Sequence, residues 1–212
     1  MPEITISPSD YINRIGRQAR EASRAMARVS TVAKNAVLER IAELLLEQES
    51  NIRAANEADL ESARAEGLDE AFLDRLTITA AGLRAMAQGC RQIAALEDPV
   101  GTISDLAPRP SGIEVGRMRV PLGVLAMIYE SRPNVTIDAA ALAVKSGNAI
   151  ILRGGHEALR SNTALWEIVV QALNEQGLPA HAVQLIESSD RALVGELIRA
   201  RDYVDVLIPR GG

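Results

Sequence analysis

Residues 121–155 read PLGVLAMIYESRPNVTIDAAALAVKSGNAIILRGG, an apolar run, a polar turn, a helical stretch, a second apolar run and a pair of glycines. Val124 to Tyr129 is a continuous apolar run of the kind found in strands buried on both faces of a parallel sheet. The turn after it, Glu130-Ser131-Arg132-Pro133-Asn134, brings charge, a fixed φ and a side-chain amide to the carboxyl end of that strand. Open α/β sheets hold their ligands at that end. The segment is one βαβ half of a nucleotide-binding sheet, and function is expected at its turns.

Downstream the alternation continues. Strands over 123–129, 149–153, 182–187 and 203–208 alternate with helices over 134–146, 157–176 and 190–200, which predicts a parallel sheet with right-handed crossovers. Lys145-Ser146-Gly147 ends one helix with a cation and a glycine, and Gln176-Gly177-Leu178-Pro179 ends the next with glycine then proline. The chain stops at Pro209-Arg210-Gly211-Gly212, directly after a strand and where a ligand loop should lead into another helix, so it reads as cut rather than finished.

Upstream, residues 1–99 predict helices. Ser7-Pro8-Ser9-Asp10 joins a capping hydroxyl, a proline suited to the first turn and an acid suited to the positive end of the helix dipole. Ile12, Ile15, Ala19, Ala22, Met26 and Val29 then recur at steps of three and four, and the stripe resumes after Ser30-Thr31 with Ala33, Val37, Ile41, Leu44 and Leu45. A charged, alanine-rich helix over 51–66 is stopped by Gly67, a short helix covers 70–75, and Thr79 caps another that ends near Leu96. At Asp98-Pro99 the pattern changes to two strands, 100–106 and 113–120, around a turn-rich loop. Two strands are marginal alone, so this hairpin arm needs a partner, from the same sheet or from another subunit.

Composition narrows the function. The 212 residues are 47% apolar, ample for a core. A net charge of −5 with scattered basic residues leaves no footprint for a nucleic-acid backbone. No apolar run approaches the roughly 20 residues that cross a bilayer, and residues 1–9 lack the basic start and apolar middle of a signal peptide, so a cytoplasmic location is expected. One cysteine and two distant histidines, His156 and His181, exclude a disulfide and offer no metal-ligand spacing.

Several residues are candidates for chemistry. Arg153-Gly154-Gly155 follows a strand and precedes a helix, where glycines let backbone amides approach phosphate oxygens and an arginine supplies a positive fork. The alternative is an ordinary strand-to-helix turn, since the full G-x-G-x-x-G fingerprint is absent. Pro209-Arg210-Gly211-Gly212 repeats the arginine–glycine theme, and Ser188 in Ser188-Ser189-Asp190 is either a ligand contact or part of a helix cap. Asn134 is either an oxyanion donor or a helix cap. Arg132 either holds an anionic substrate or pairs with Glu130. His156, beside the glycine turn, could touch a phosphate, and Lys145 reads as a helix-end cation. Cys90 shares an apolar helical face with Leu83, Met86, Ala87, Ile93 and Ala94, which makes it an inert core thiol rather than a nucleophile.

The motifs YESRPNVT at 129–136, KSGNAIILRGG at 145–155 and LIPRGG at 207–212, with GLDEAFLDRL at 67–76 and EDPVG at 97–101, closely resemble the γ-glutamyl phosphate reductase family of the aldehyde dehydrogenase superfamily. Wider members of that superfamily carry a tryptophan-containing motif at the ESRPN position and a lysine–proline pair where this chain has Arg153-Gly154. The resemblance implies an α/β fold with a Rossmann-like parallel sheet and NADPH-dependent reduction of L-glutamyl 5-phosphate to L-glutamate 5-semialdehyde and phosphate, a step of proline synthesis. In that family a cysteine attacks the acyl phosphate, a thioester forms, and the cofactor's hydride releases the aldehyde. By motif match Asn134 would help form the oxyanion hole, Arg153, Gly154 and Gly155 would lie near the adenosine ribose and phosphate, and Pro209 to Gly212 would start the loop under the nicotinamide.

The resemblance also divides the chain into a helical part of the cofactor-binding domain at 1–99, an oligomerisation arm at 100–120 that would join a homo-oligomer, and a βαβ cofactor-binding region at 121–212. The chain is about half the length of that family's members and holds no residue that matches the nucleophile, so no turnover is expected of it alone. The rival readings are another aldehyde or acyl-phosphate dehydrogenase of the superfamily and a non-catalytic nucleotide-binding fragment.

Overall fold

A computed structural model describes residues 6–211. The first helices form where the capping chemistry starts them. Ser7 Oγ accepts the Asp10 amide at 3.1 Å to open α1 (Pro8–Met26), and Ser30 Oγ accepts the Ala33 amide at 3.3 Å to open α2 (Thr31–Glu47). Helix α3 (Glu49–Ala65) begins two residues before the expected Asn51. Asp69 and Thr79 cap α4 (Glu70–Leu76) and α5 (Ala80–Ala95) through the Phe72 and Gly82 amides. The predicted stripes Ile12, Ile15, Ala19, Ala22, Met26 and Val37, Ile41, Leu44, Leu45 are buried in one core shared with the sheet.

The central sheet has the order β5-β4-β3-β6, with β3 (Val124–Tyr129), β4 (Ala149–Arg153), β5 (Val183–Leu185) and β6 (Val206–Arg210) all parallel. The chain moves outward from β3 through α6 (Asn134–Lys145) and α7 (Leu159–Glu175), then returns through α8 (Ala192–Arg199) to the far side of β3. Helix α1 packs on β4 and α8, while α6 and α7 pack together on the opposite face beneath α2, α3 and α5. The strand order reverses between β3 and β6, and a crevice opens at such a switch point.

Several expectations are corrected. The last strand starts at Val206 rather than 203, because Tyr203 leaves the strand path to lie on α1: a Cβ on Gly16 would come within 2.6 Å of its ring. Pro209 and Arg210, expected in a loop, are strand residues paired with Ile128 and Tyr129. A short 3-10 turn, His156–Ala158, precedes α7 where continuous helix was expected. The hairpin strands are β1 (Ile103–Pro108) and β2 (Glu114–Met118), narrower than expected. Their register shifts between Ser104 and Ala107, where Asp105 adopts φ 55°. Such a bulge twists the ribbon.

Lys145 is the cation at the end of α6, as expected, but it is buried. It is 3% exposed, and its Nζ donates to Asn35 Oδ1 and the Ala94 carbonyl, each at 2.8 Å. Beside it Lys34, 1% exposed, pairs with Asp98 at the root of the hairpin. Burial alone would push the Asp98 carboxyl up, but bonds from Lys34, Thr31 and the Val100 amide outweigh it and hold the group below its ordinary value. A depressed carboxyl stabilises the fold fully above its unfolded pKa, and the contribution is lost as pH falls through the folded one. Asp98→Ala should cost about 3–5 kcal/mol in urea denaturation near neutrality, since it leaves a buried ammonium unpaired. The gap between parent and variant should shrink as pH drops below about 4.

Candidate functional site

The site is built around the carboxyl end of β3. Buried Tyr129 closes the strand, and its hydroxyl lies 2.7 Å from Thr136 Oγ1, which donates to Asn162 Oδ1 at 3.0 Å. This chain ties β3 to α6 and α7 beneath the turns. Burial raises the Tyr129 phenol to about 12, so it stays protonated and can donate. Above it Ser131 Oγ donates to Glu157 Oε2, joining the turn after β3 to the turn after β4. Burial pushes the Glu157 carboxyl up, but the Ser131 bond, its own backbone amide, and the charges of His156 and Arg153 leave it below its ordinary value.

The glycine pair serves that junction. A Cβ on Gly154 would lie 2.3 Å from Asn162 Nδ2, and one on Gly155 would lie 2.1 Å from Ser131 Oγ and 3.0 Å from the Ser131 backbone nitrogen. Close packing is thus reason enough for glycine at these two positions, whatever their backbone amides meet. The space a side chain would take is filled by the neighbouring turn at Gly155, and by Asn162 and the Tyr129 ring at Gly154. Gly211 is also closely approached, with a built Cβ 2.8 Å from Glu130 Cγ.

Two clefts share this edge. One, of about 490 Å³, is lined by Arg75, Arg132, Arg153, Arg191, His156 and both turns. The other, of about 270 Å³, lies at the β3–β6 switch point between Tyr129, Arg132, Val135, Arg210 and Gly211. In the larger cleft Arg153 Nη1 donates to the Gly154 carbonyl at 2.8 Å, while its buried Nε has no hydrogen-bond partner among the described residues. Burial pushes the Arg153 guanidinium down, with Glu157 opposing and Arg191 reinforcing the shift. A buried N–H without a partner costs free energy until an acceptor arrives.

Other expected residues fall as follows. Arg132 is exposed and lines both clefts, and its backbone amide bonds the Glu130 carbonyl at 2.7 Å. Asn134 is not the cap: Pro133 occupies that position, and Asn134 Nδ2 donates instead to Asp138 Oδ2 at 3.1 Å, inside the first turn of α6. Ser188 accepts the Asp190 amide at 3.2 Å and does not line the cleft of Arg153. The same loop reaches that cleft through Arg191. Gly212 lies outside the described residues. His156 flanks Glu157 at 3.5 Å, whereas His181 is exposed in the connection before β5.

Sequence reasoning did not find Arg191, which no local motif marks, or Arg75, which sits inside the quoted GLDEAFLDRL motif without being singled out. It also missed Tyr129, Thr136 and Asn162 as a set, although the first two sit inside the YESRPNVT motif. Arg75 is brought in by Asn56 on α3, whose amide donates to the Leu76 carbonyl at 2.9 Å and accepts the Ile78 amide at 2.7 Å.

Gly155→Ala should destabilise the chain by about 1–3 kcal/mol in chemical denaturation, the usual cost of overpacking. Parent-like stability would show that the two turns are not in contact. Cys90 is 1% exposed, and burial, with Asp138 adding, pushes its thiol up to about 12. It should resist a disulfide reagent at about pH 8 in the native chain and react fully once unfolded.

Comparison with known proteins agrees with this arrangement. A family profile described as the aldehyde dehydrogenase family matches residues 3–208. The chain superposes on the γ-glutamyl phosphate reductase of Thermotoga maritima with a TM-score of 0.93 and 42% identity, over 95% of this chain and 49% of that one. For the γ-glutamyl phosphate reductase of Saccharomyces cerevisiae the values are 0.88 and 33%, over 98% of this chain and 52% of that one. A probable aldehyde dehydrogenase from Listeria monocytogenes shares the fold at TM-score 0.73 and 15% identity, over 97% of this chain and 42% of that one. The chain thus spans about half the length of the two reductases. With its parallel sheet, helical lead-in and hairpin, it belongs to the aldehyde dehydrogenase family.

Proposed function

We propose that this chain forms the cofactor-binding part of an oxidoreductase that reduces L-glutamyl 5-phosphate to L-glutamate 5-semialdehyde with NADPH, a step in proline biosynthesis. The observation that carries the reading is the cationic cleft after β4, where Arg153, whose buried Nε has no hydrogen-bond partner among the described residues, stands with Arg75, Arg132 and Arg191. A phosphate oxygen is the acceptor that such a group lacks. The likeness to two γ-glutamyl phosphate reductases supports the substrate.

The residues present fit a dinucleotide. Arg153, Arg191 and His156 would hold an adenosine phosphate, and the doubly charged 2′-phosphate of NADPH suits this cluster better than the neutral hydroxyl of NADH. Tyr129, Glu130 and Arg132 line both clefts, so one ligand can run across the end of β3 towards Arg210 and Gly211. Ser188 would contribute from the loop that carries Arg191. The bound cofactor supplies the hydride. Asn134 carries two amide hydrogens, and Asp138 accepts one, so the other is left to meet an oxygen that gains charge. The thiol that acyl-phosphate reduction requires is not Cys90, the chain's single cysteine, because it is buried in the helical core.

The hairpin would pair with another subunit. Ile103, Leu106 and Met118 are each about 60% exposed on it, an apolar surface that water disfavours.

Titrating NADPH and NADH into the purified chain tests the cofactor site. NADPH should bind tighter, and Arg153→Ala should weaken it about tenfold or more, the worth of one charge-assisted hydrogen bond. Equal affinity of NADPH for parent and variant would remove Arg153 from the site.

A further inference from the structure

A third cleft, of about 400 Å³, lies between the end of α4 and the first two turns of α6. Its wall carries one cation, Arg75, and one anion, Asp138, with Asn134 next to the acid and the apolar surface of Ile78, Ala85 and Met86 beside them. Arg75 is exposed, stacks 5.6 Å over the Phe72 ring and has no ion-pair partner among the described residues. Asp138 is half-buried, and among the described residues its one hydrogen bond comes from Asn134. Burial pushes its carboxyl up, with Asn134 and the charge of Arg210 opposing.

That placement is chemically demanding. A carboxylate 3.1 Å from the amide proposed to stabilise an oxyanion repels the charge that the amide should attract. The conflict is removed if the substrate itself brings a cation to Asp138. We propose that this cleft recognises the α-amino-acid end of the substrate, Asp138 taking the α-ammonium and Arg75 the α-carboxylate, with the methylenes lying on Met86 and Ala85. The inference rests on the reading of the chain as part of a glutamyl phosphate reductase and extends it. It makes the cleft a specificity device, because an acyl chain without an ammonium leaves Asp138 unpaired beside the reacting oxygen.

Three stable probes separate the contacts: L-glutamate, glutarate, which lacks the amino group, and 4-aminobutyrate, which lacks the α-carboxylate. Each is titrated into the ¹⁵N-labelled chain and followed by the amide resonances of Gly82, Asn134 and Asp138. L-glutamate should bind about tenfold tighter than either analogue, the fold-change of one charge-assisted hydrogen bond. Asp138→Asn should abolish the preference over glutarate and keep that over 4-aminobutyrate. Arg75→Gln should do the reverse, with both variants melting as cooperatively as the parent.

Equal binding of the three probes, no response to L-glutamate, or an unchanged preference in Asp138→Asn would overturn the proposal. NADPH titrated into the same Asp138→Asn sample reports separately on the other reading. Failure of NADPH to bind even the parent chain would overturn the dinucleotide site and leave the probe preferences standing.

Discussion

The close approach of two turns, the one after β3 and the one after β4, governs the architecture of this chain. Ser131 bonds Glu157 across the gap, the absence of a side chain at Gly155 lets the backbones meet, and its absence at Gly154 admits Asn162 and the Tyr129 ring beneath them. Tyr129, Thr136 and Asn162 support the seam from below with a buried chain of hydrogen bonds, each polar atom satisfied by the next. Because the seam fixes where β3 ends relative to β4, it also fixes where Arg132 and Arg153 point into their shared cleft. Packing and electrostatics are thus the same problem at this edge.

The rest of the sheet edge is charged unevenly. Arginines from four separate segments, α4, the turn after β3, the end of β4 and the loop after β5, converge on one cleft with Glu130 and Glu157 among them. Such convergence raises the local positive potential on a chain whose net charge is −5. The opposed cation and anion of the α4–α6 cleft are a different pattern, suited to a ligand with both signs.

Much of the fold was legible in the sequence. Continuous apolar runs flanked by glycine turns mark β3 and β4, and Ser7, Ser30 and Thr79 announce their helices through the hydroxyls that cap them. The strand ends were harder. Tyr203 looks like a strand residue, yet Gly16, far away in sequence, offers its ring a better place. The packing that calls for glycine at 154 and 155 was hidden for the same reason: their tight neighbours, Asn162 and Ser131, are known only once the chain is folded. The candidate site was half legible, since ESRPN and RGG are local motifs at the sheet edge, whereas Arg75, in the distant GLDEAFLDRL motif, reaches the cleft only through Asn56, and Arg191 comes from a loop with no pattern of its own.

Helix α6 carries Asn134 at one tip and Lys145 at the other. The Lys145 tip is fastened by its ammonium to Asn35 and to the Ala94 carbonyl, and just beyond it Asn148 Oδ1 accepts the Gly123 amide at 2.9 Å. The opposite tip borders open clefts. Twelve residues make a rod about 18 Å long, pinned at its base by Lys145 and near its head by Thr136, as a beam on two supports is. Asn134 overhangs the second support by two residues, so its thermal motion is that of a short stub and not of the whole rod. A load applied at Asn134 is taken up first at Thr136, by the strand and helix to which it is tied.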